Sequence, residues 1–336
     1  MPISMKDFVE RHPNLKIIIY AGKGGLGKTT CSAATAYWFS KNKKKALCFS
    51  TDPQASLSDI FERDIFGKGE TKLAENLYVV EIDADKRVAE FHEEVRNKIK
   101  EMYKIDKLPD EIDRYISSTA YEPAMHESAT YDAMADLLAS KKYDIYIFDM
   151  PPFGHGVRMI SMATILDAWI DKMTEARKKA AEYLEAEVRI RGSSTKVEDE
   201  ILKELSSIRE KLDFFRDALT NPETTGFFMV LIPEKMAILD TERAIKMFEK
   251  LGISLSGVIV NQVYPFELLE IPNLSEFLKH RIEMQKMYLK EIKEKFGEYV
   301  RAIIPMFDRE PKGMEMIAKV ADHLFENPSL NLLEMV

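Results

Sequence analysis

Two cysteines, Cys31 and Cys48, are all that the chain contains. Two thiols cannot build a disulfide framework. Nor can they supply a structural zinc site of several cysteines. Long apolar runs are also missing, and none approaches the ~20 residues that a membrane span needs. The stretch MPISMKDFVERHPNLK at residues 1–16 has no apolar signal core. The expectation is a soluble protein of the cytoplasm. Only three glutamines occur, Gln54, Gln262 and Gln285, beside abundant Lys and Glu. That bias fits a thermophilic source. An excess of positive charge is missing too. Lys plus Arg is 48 against 56 for Asp plus Glu, a net charge of −8. A dedicated nucleic-acid binder usually carries a basic footprint, so no nucleic-acid partner is expected.

Apolar material is plentiful, with 46% hydrophobic and 31% charged residues, which excludes a disordered chain. The 336 residues suit two average domains or one large α/β domain with an insertion. Short β-rich runs recur at Lys16–Ala21, Ala46–Ser50, Tyr78–Ile82, Tyr143–Asp149, Gly226–Ile232, Leu255–Val260 and Val300–Ile304. Most are continuously apolar, the pattern of parallel strands covered on both faces. Helical patterns such as Thr29–Lys41 and Thr241–Leu251 lie between them. This alternation predicts an α/β fold with a doubly wound, mostly parallel sheet.

Two charged, helix-forming stretches interrupt the alternation, Asp85–Ser118 and Ser161–Asn221. In the second, Ile201, Leu205, Ile208, Leu212, Phe215 and Leu219 form a heptad-like seam, and Arg191–Ser194 reads as a turn. The expected organisation is a nucleotide-binding domain of residues 15–84, 119–160 and 222–330. Residues 85–118 and 161–221 would form an inserted helical subdomain.

Gly22-Lys23-Gly24-Gly25-Leu26-Gly27-Lys28-Thr29 matches G-x-x-x-x-G-K-[ST] between an expected strand and an expected helix. Backbone N–H groups of such a loop close around phosphate oxygens at the positive end of the helix. Gly24, Gly25, Gly27, Lys28, Thr29 and Thr30 are the expected ATP phosphate contacts. Lys28 would reach the β/γ-phosphates, and the Thr29 hydroxyl would ligate Mg²⁺. Asp149 ends an apolar run, the place for a carboxylate near the metal. Asp52 also ends a strand, where it could orient or deprotonate the attacking water; a helix cap or turn before Pro53 is the other use of such a residue.

Lys23 resembles the extra lysine of deviant phosphate loops in dimeric NTPases. There it crosses a dimer interface to the partner's nucleotide, and a solvated loop lysine is the plainer alternative. Asp149-Met-Pro-Pro-Phe-Gly-His155-Gly-Val-Arg158 is similar to the second switch of the arsenite-pump and tail-anchored-protein targeting ATPase family. Asp52-Pro53 with Ser56-Leu57-Ser58-Asp59 resembles its first switch. Pro233-Glu234, Thr241-Glu242-Arg243, Arg281, Gln285, Tyr288-Leu289, Ile304-Pro305 and Gly313 continue the likeness across about residues 15–325. The resemblance implies a homodimeric, Mg²⁺-dependent ATPase. Lys23, Lys28 and Asp52 would be its catalytic residues, Asn261 would read adenine, and Pro305 would belong to the ATP-binding residues.

Met150 and Phe153 replace two threonines of the usual second switch, and Gln54 is shared with partitioning ATPases. Ser275 and Leu278 stand where eukaryotic targeting members carry the CxxC of an intersubunit zinc. No cysteine set for As(III) is present. His155 suits a nucleotide-sensing switch position, and Arg158 either touches phosphate or forms an ordinary salt bridge. Met159, Met162, Leu166, Trp169 and Met173 share one expected helix face. That face suits either a hydrophobic membrane-protein segment as client or packing within the helical subdomain. The expected function is a chaperone-like targeting factor for tail-anchored proteins, with an unnamed membrane receptor. The alternative is the energising subunit of an arsenite pump.

Overall fold

The computed structural model describes residues 3–50, 55–103, 105–119, 123–150, 171–172, 174–175 and 200–336. A first compact unit gathers Met1–Ala84, Ser140–Val157 and Ala218–Val336. Its centre is an eight-stranded sheet ordered β3-β4-β2-β5-β1-β6-β7-β8. The strands are β1 (Ile17–Ala21), β2 (Ala46–Ser50), β3 (Thr71–Ala74), β4 (Leu77–Glu81), β5 (Ile145–Asp149), β6 (Thr225–Leu231), β7 (Gly257–Val263) and β8 (Val300–Pro305). All pairings are parallel except β3 with β4. Every residue of β1, β2, β5 and β6 is buried, which explains their unbroken apolar sequences.

The order reverses around β1, with β5, β2 and β4 on one side and β6 to β8 on the other. Ligand crevices of open α/β sheets form outside the strand C-termini at such a reversal. Helix α1 (Met5–Arg11) precedes β1 and starts with a reciprocal capping box between Ser4 and Asp7. Helix α2 (Lys28–Lys41) follows it and is built largely of small residues, with Cys31–Ala36 all buried. Small side chains let it lie close to the sheet. At its far end Trp38 stacks on Phe325, with ring centroids 4.2 Å apart.

Helix α3 (Ser56–Phe61) also belongs to this unit. The second unit combines Asp85–Ala139 with Arg158–Asp217. Its described helices are α4 (Ala84–Tyr103), α5 (Asp110–Thr119), α6 (Pro123–Ala139) and most of α7 (Glu200–Thr220). Arg87 of α4 pairs with Asp132 of α6 and, at 2.9 Å, with Glu94; Lys211 of α7 reaches Asp132 and, at 2.7 Å, Asp136. Val88, Ile116, Met134, Leu138 and Phe215 are buried.

The other described α-helices are α8 (Lys235–Lys250), α9 (Glu276–Phe296) and α10 (Gly313–Phe325). Several boundaries differ from the sequence expectations. Residues 123–139 fall in the helical unit, not with the sheet, because α6 is tied to α4 and α7 through Asp132 and Asp136. Helix α8 begins at Lys235, six residues before the expected Thr241. β3 gave no apolar run because it is a four-residue edge strand with no fully buried position. β7 runs on through Asn261, which was expected just beyond the strand's apolar run. Asp52, Pro53, Gln54, Phe153, His155, Arg158, residues 159–169, Met173 and Arg191–Ser194, for which the sequence raised expectations, lie outside the described residues.

Candidate active site

The ends of β1, β5, β7 and β8 bring most of the expected site residues to one edge of the sheet. From Ala21 the chain turns through residues 22–27 into α2. Gly27 is the helix N-cap and has φ 95°, the left-handed region. A Cβ there would come within 2.2 Å of Asn261 Nδ2, so the backbone and a neighbouring side chain both demand glycine. Gly24 and Gly25 are exposed on the loop.

The loop's two lysines differ sharply. Lys28 is only 6% exposed, and its ammonium donates to the Lys23 carbonyl at 3.2 Å. The Lys23 ammonium is instead exposed and lies 3.3 Å from Asp240 of α8. Asp240 also faces the Arg243 guanidinium at 3.7 Å. Next along α2, the Thr29 hydroxyl donates to Asp149 Oδ2 at 2.7 Å, and the Ser50 hydroxyl reaches the same oxygen at 3.3 Å. Asp149 is buried at the end of β5, and Thr30 is buried in the first turn of α2.

Mg²⁺ prefers hard oxygen ligands and keeps several positions for water and nucleotide oxygens. A threonine hydroxyl touching a strand-end carboxylate fits that preference. Among the described residues, no group of three His, Cys, Asp or Glu side chains could hold a metal.

Asn261 is buried, and its Nδ2 donates to the Leu26 carbonyl at 2.9 Å. That bond joins the end of β7 to the phosphate loop and fixes the orientation of the carboxamide. Pro305 closes β8 opposite Val263, and the Met306 N–H donates to the Val263 carbonyl at 2.8 Å. Arg281 lies 3.7 Å from Glu234, the N-cap residue of α8. Ser275 caps α9 by accepting the Leu278 N–H at 3.3 Å, so that position serves helix capping here.

Glu81 was not singled out from the sequence. Buried at the end of β4, it accepts the Leu57 N–H at 2.7 Å, the Ser58 N–H at 3.0 Å and the Ser58 hydroxyl at 2.5 Å. It thereby caps the first turn of α3, whose own N-cap, Ala55, has no capping side chain. Burial raises its carboxyl pKa, against the pull of those hydrogen bonds. The only sequence signal was a carboxylate near the end of a β-rich run.

Cys31 and Cys48 are fully buried. Burial, reinforced by the Asp149 charge, pushes both thiols up, so they stay protonated. A thiol in that state is neither nucleophile nor ready metal ligand.

No described helix is long and apolar enough to cross a membrane. The family model for anion-transporting ATPases (ArsA ATPase) matches residues 15–326. A candidate arsenical pump-driving ATPase 1 of Aquifex aeolicus (strain VF5) is 31% identical over 319 residues, covering 93% of this chain and 79% of the relative. The ATPase ASNA1 homolog of Dictyostelium discoideum is 29% identical over 326 residues, covering 95% and 93%. ATPase get3 of Schizosaccharomyces japonicus (strain yFS275 / FY16936) is 28% identical over 328 residues, covering 96% of each. A phosphate loop opening α2 at the reversal of a parallel sheet, matched by this family from strand β1 to the end of α10, makes the chain a member of the anion-transporting ATPase family and an ATPase.

Proposed function

We propose that the protein is a Mg²⁺-dependent, nucleotide-switched homodimer that targets tail-anchored membrane proteins. The phosphates of ATP would lie over Gly24, Gly25, Gly27 and the first turn of α2, with Lys28 and Thr30 among their contacts. Thr29 and Asp149 would hold Mg²⁺, which supplies charge neutralisation at the β- and γ-phosphates. Asp52 would align or deprotonate the attacking water. Lys23 would serve the second chain's nucleotide. Its exposed ammonium, paired with Asp240 and not with its own cradle, supports that reading. Asn261 would contact adenine, with Pro305 also at the ATP site. With Asn261 Nδ2 committed to Leu26, its Oδ1 is left to accept the exocyclic amine.

The state of the thiols favours targeting over arsenite pumping. Two buried, protonated cysteines offer no thiolate set for As(III). In sequence, the second switch leads directly into the Met159–Met173 face. Nucleotide-dependent movement of that switch would be passed to a surface suited to an apolar client segment.

Co-expression with a tail-anchored protein tests this reading, with and without its ~20-residue apolar tail. Co-purification that requires the tail, and that Met162→Asp or Met173→Asp abolishes while ATPase activity and thermal stability persist, is the expected outcome. Equal capture of the tail-less client, or of the intact client by stable charged variants, would remove the proposed groove.

A further inference from the structure

Gln285 belongs to the sequence pattern around Arg281, yet the phosphate and metal site leaves it without a role. It is 5% exposed on α9, and its carboxamide is used at both ends. Oε1 accepts the Tyr264 N–H at 2.8 Å, and Nε2 donates to the Gln262 carbonyl at 3.0 Å. Those two backbone groups flank Val263, where an irregularity in the sheet ends. Val260 pairs with Ile303 and Val263 with Pro305, so three steps on β7 oppose two on β8. Within the extra step Gln262 adopts φ 58°, a left-handed conformation uncommon outside glycine. A bulge interrupts the ladder's hydrogen bonds and re-aims the neighbouring side chains. The residue immediately before Gln262 is Asn261.

We propose that Gln285 is the positioning residue for nucleobase recognition: it staples the β7 bulge and thereby sets where Asn261 presents its carboxamide to the base. The proposal rests on the reading of Asn261 as the adenine contact. A primary amide can donate and accept together, and it meets the Gln262 carbonyl and the Tyr264 N–H on either side of Val263. Without it, Gln262 is released from its left-handed conformation, and the direction of its neighbour Asn261 is no longer set by the bulge. The Leu26 carbonyl holds Asn261 Nδ2, which leaves the oxygen to meet the base. Adenine offers an amine to that oxygen. Guanine offers a carbonyl, placing two acceptors together. Correct placement of Asn261 therefore translates into preference for ATP over GTP.

The test measures ATP and GTP affinity, KM and kcat, together with thermal stability. It compares the wild type, Asn261→Ala, and two Gln285 variants. Gln285→Met keeps the length and volume of the side chain without the amide. Gln285→Glu, when ionised, keeps only an acceptor. The expected result is a fall of about ten-fold in the ATP-to-GTP affinity ratio for Gln285→Met, carried by KM for ATP more than by kcat. Gln285→Glu should fall in the same direction and decides the matter if the methionine variant does not fold. Combination with Asn261→Ala should add little further loss, because both act on one contact. A purely structural Gln285 would lower stability and leave the ratio unchanged. If Asn261→Ala collapses the ratio while both folded Gln285 variants keep it, the staple proposal is overturned alone. If Asn261→Ala itself keeps the ratio, the adenine reading falls, and the staple with it.

Discussion

Replacing Gly27 by alanine perturbs two features of the site at once. At φ 95° an L-residue pays a backbone cost of about 1–2 kcal/mol. The added Cβ would also stand 2.2 Å from Asn261 Nδ2, so the carboxamide must leave the Leu26 carbonyl. Leaving such a buried group unsatisfied costs about 1–3 kcal/mol. The two effects sum to roughly 2–5 kcal/mol, a large fraction of typical folding stability. Gly25→Ala is the matched control. Its φ of 79° brings the same backbone cost, but a Cβ there would meet no atom within 4 Å. Denaturant unfolding of both variants without nucleotide isolates the Asn261 contribution as their difference. Gly27→Ala should be the less stable by about 1–3 kcal/mol, and it should lose more ATP affinity. Equal destabilisation of the two would refute the contact between phosphate loop and β7.

Asp52→Asn should retain ATP binding while turnover falls at least ~100-fold; a parallel loss of affinity would make Asp52 a structural or metal residue. Cys31 and Cys48 should react with a maleimide only on unfolding, and arsenite should leave the ATPase rate unchanged; rapid labelling of the native protein contradicts their protonated, buried state. Lys235 holds the Glu291 carboxyl below its ordinary pKa of 4.5. Its stabilising effect should therefore be present above that value and disappear as pH falls through the depressed one. The gap in melting temperature between the wild type and Glu291→Gln should accordingly be visible at neutral pH and close in acid. A gap that widens in acid reverses the assigned sign.

Continuous burial made the central strands legible, because IIIYA, ALCFS and IYIFD carry no polar face to confuse them. The phosphate loop was equally legible, since its glycines, Lys28 and Thr29 are local in sequence and their chemistry depends on one turn. Edge strand β3 was not, because a partly exposed strand of four residues has no comparable pattern. The placement of α6 depends on ion pairs from Asp132 and Asp136 to Arg87 and Lys211, contacts between distant parts of the chain that carry no periodic signal. Glu81, and the contacts of Gln285, were hidden for a related reason. Each satisfies backbone groups of another element, and only the folded chain shows which groups lack partners.

The composite active site is tested most directly by mixing two inactive chains. One carries Lys23→Ala and keeps Asp52; the other carries Asp52→Asn and keeps Lys23. If Lys23 serves across a dimer interface, one site of each mixed dimer regains both residues, and ATPase activity partly returns as mixed dimers form. Neither chain alone should show it. Absence of activity in demonstrated mixed dimers would return Lys23 to its own loop and contradict the composite site.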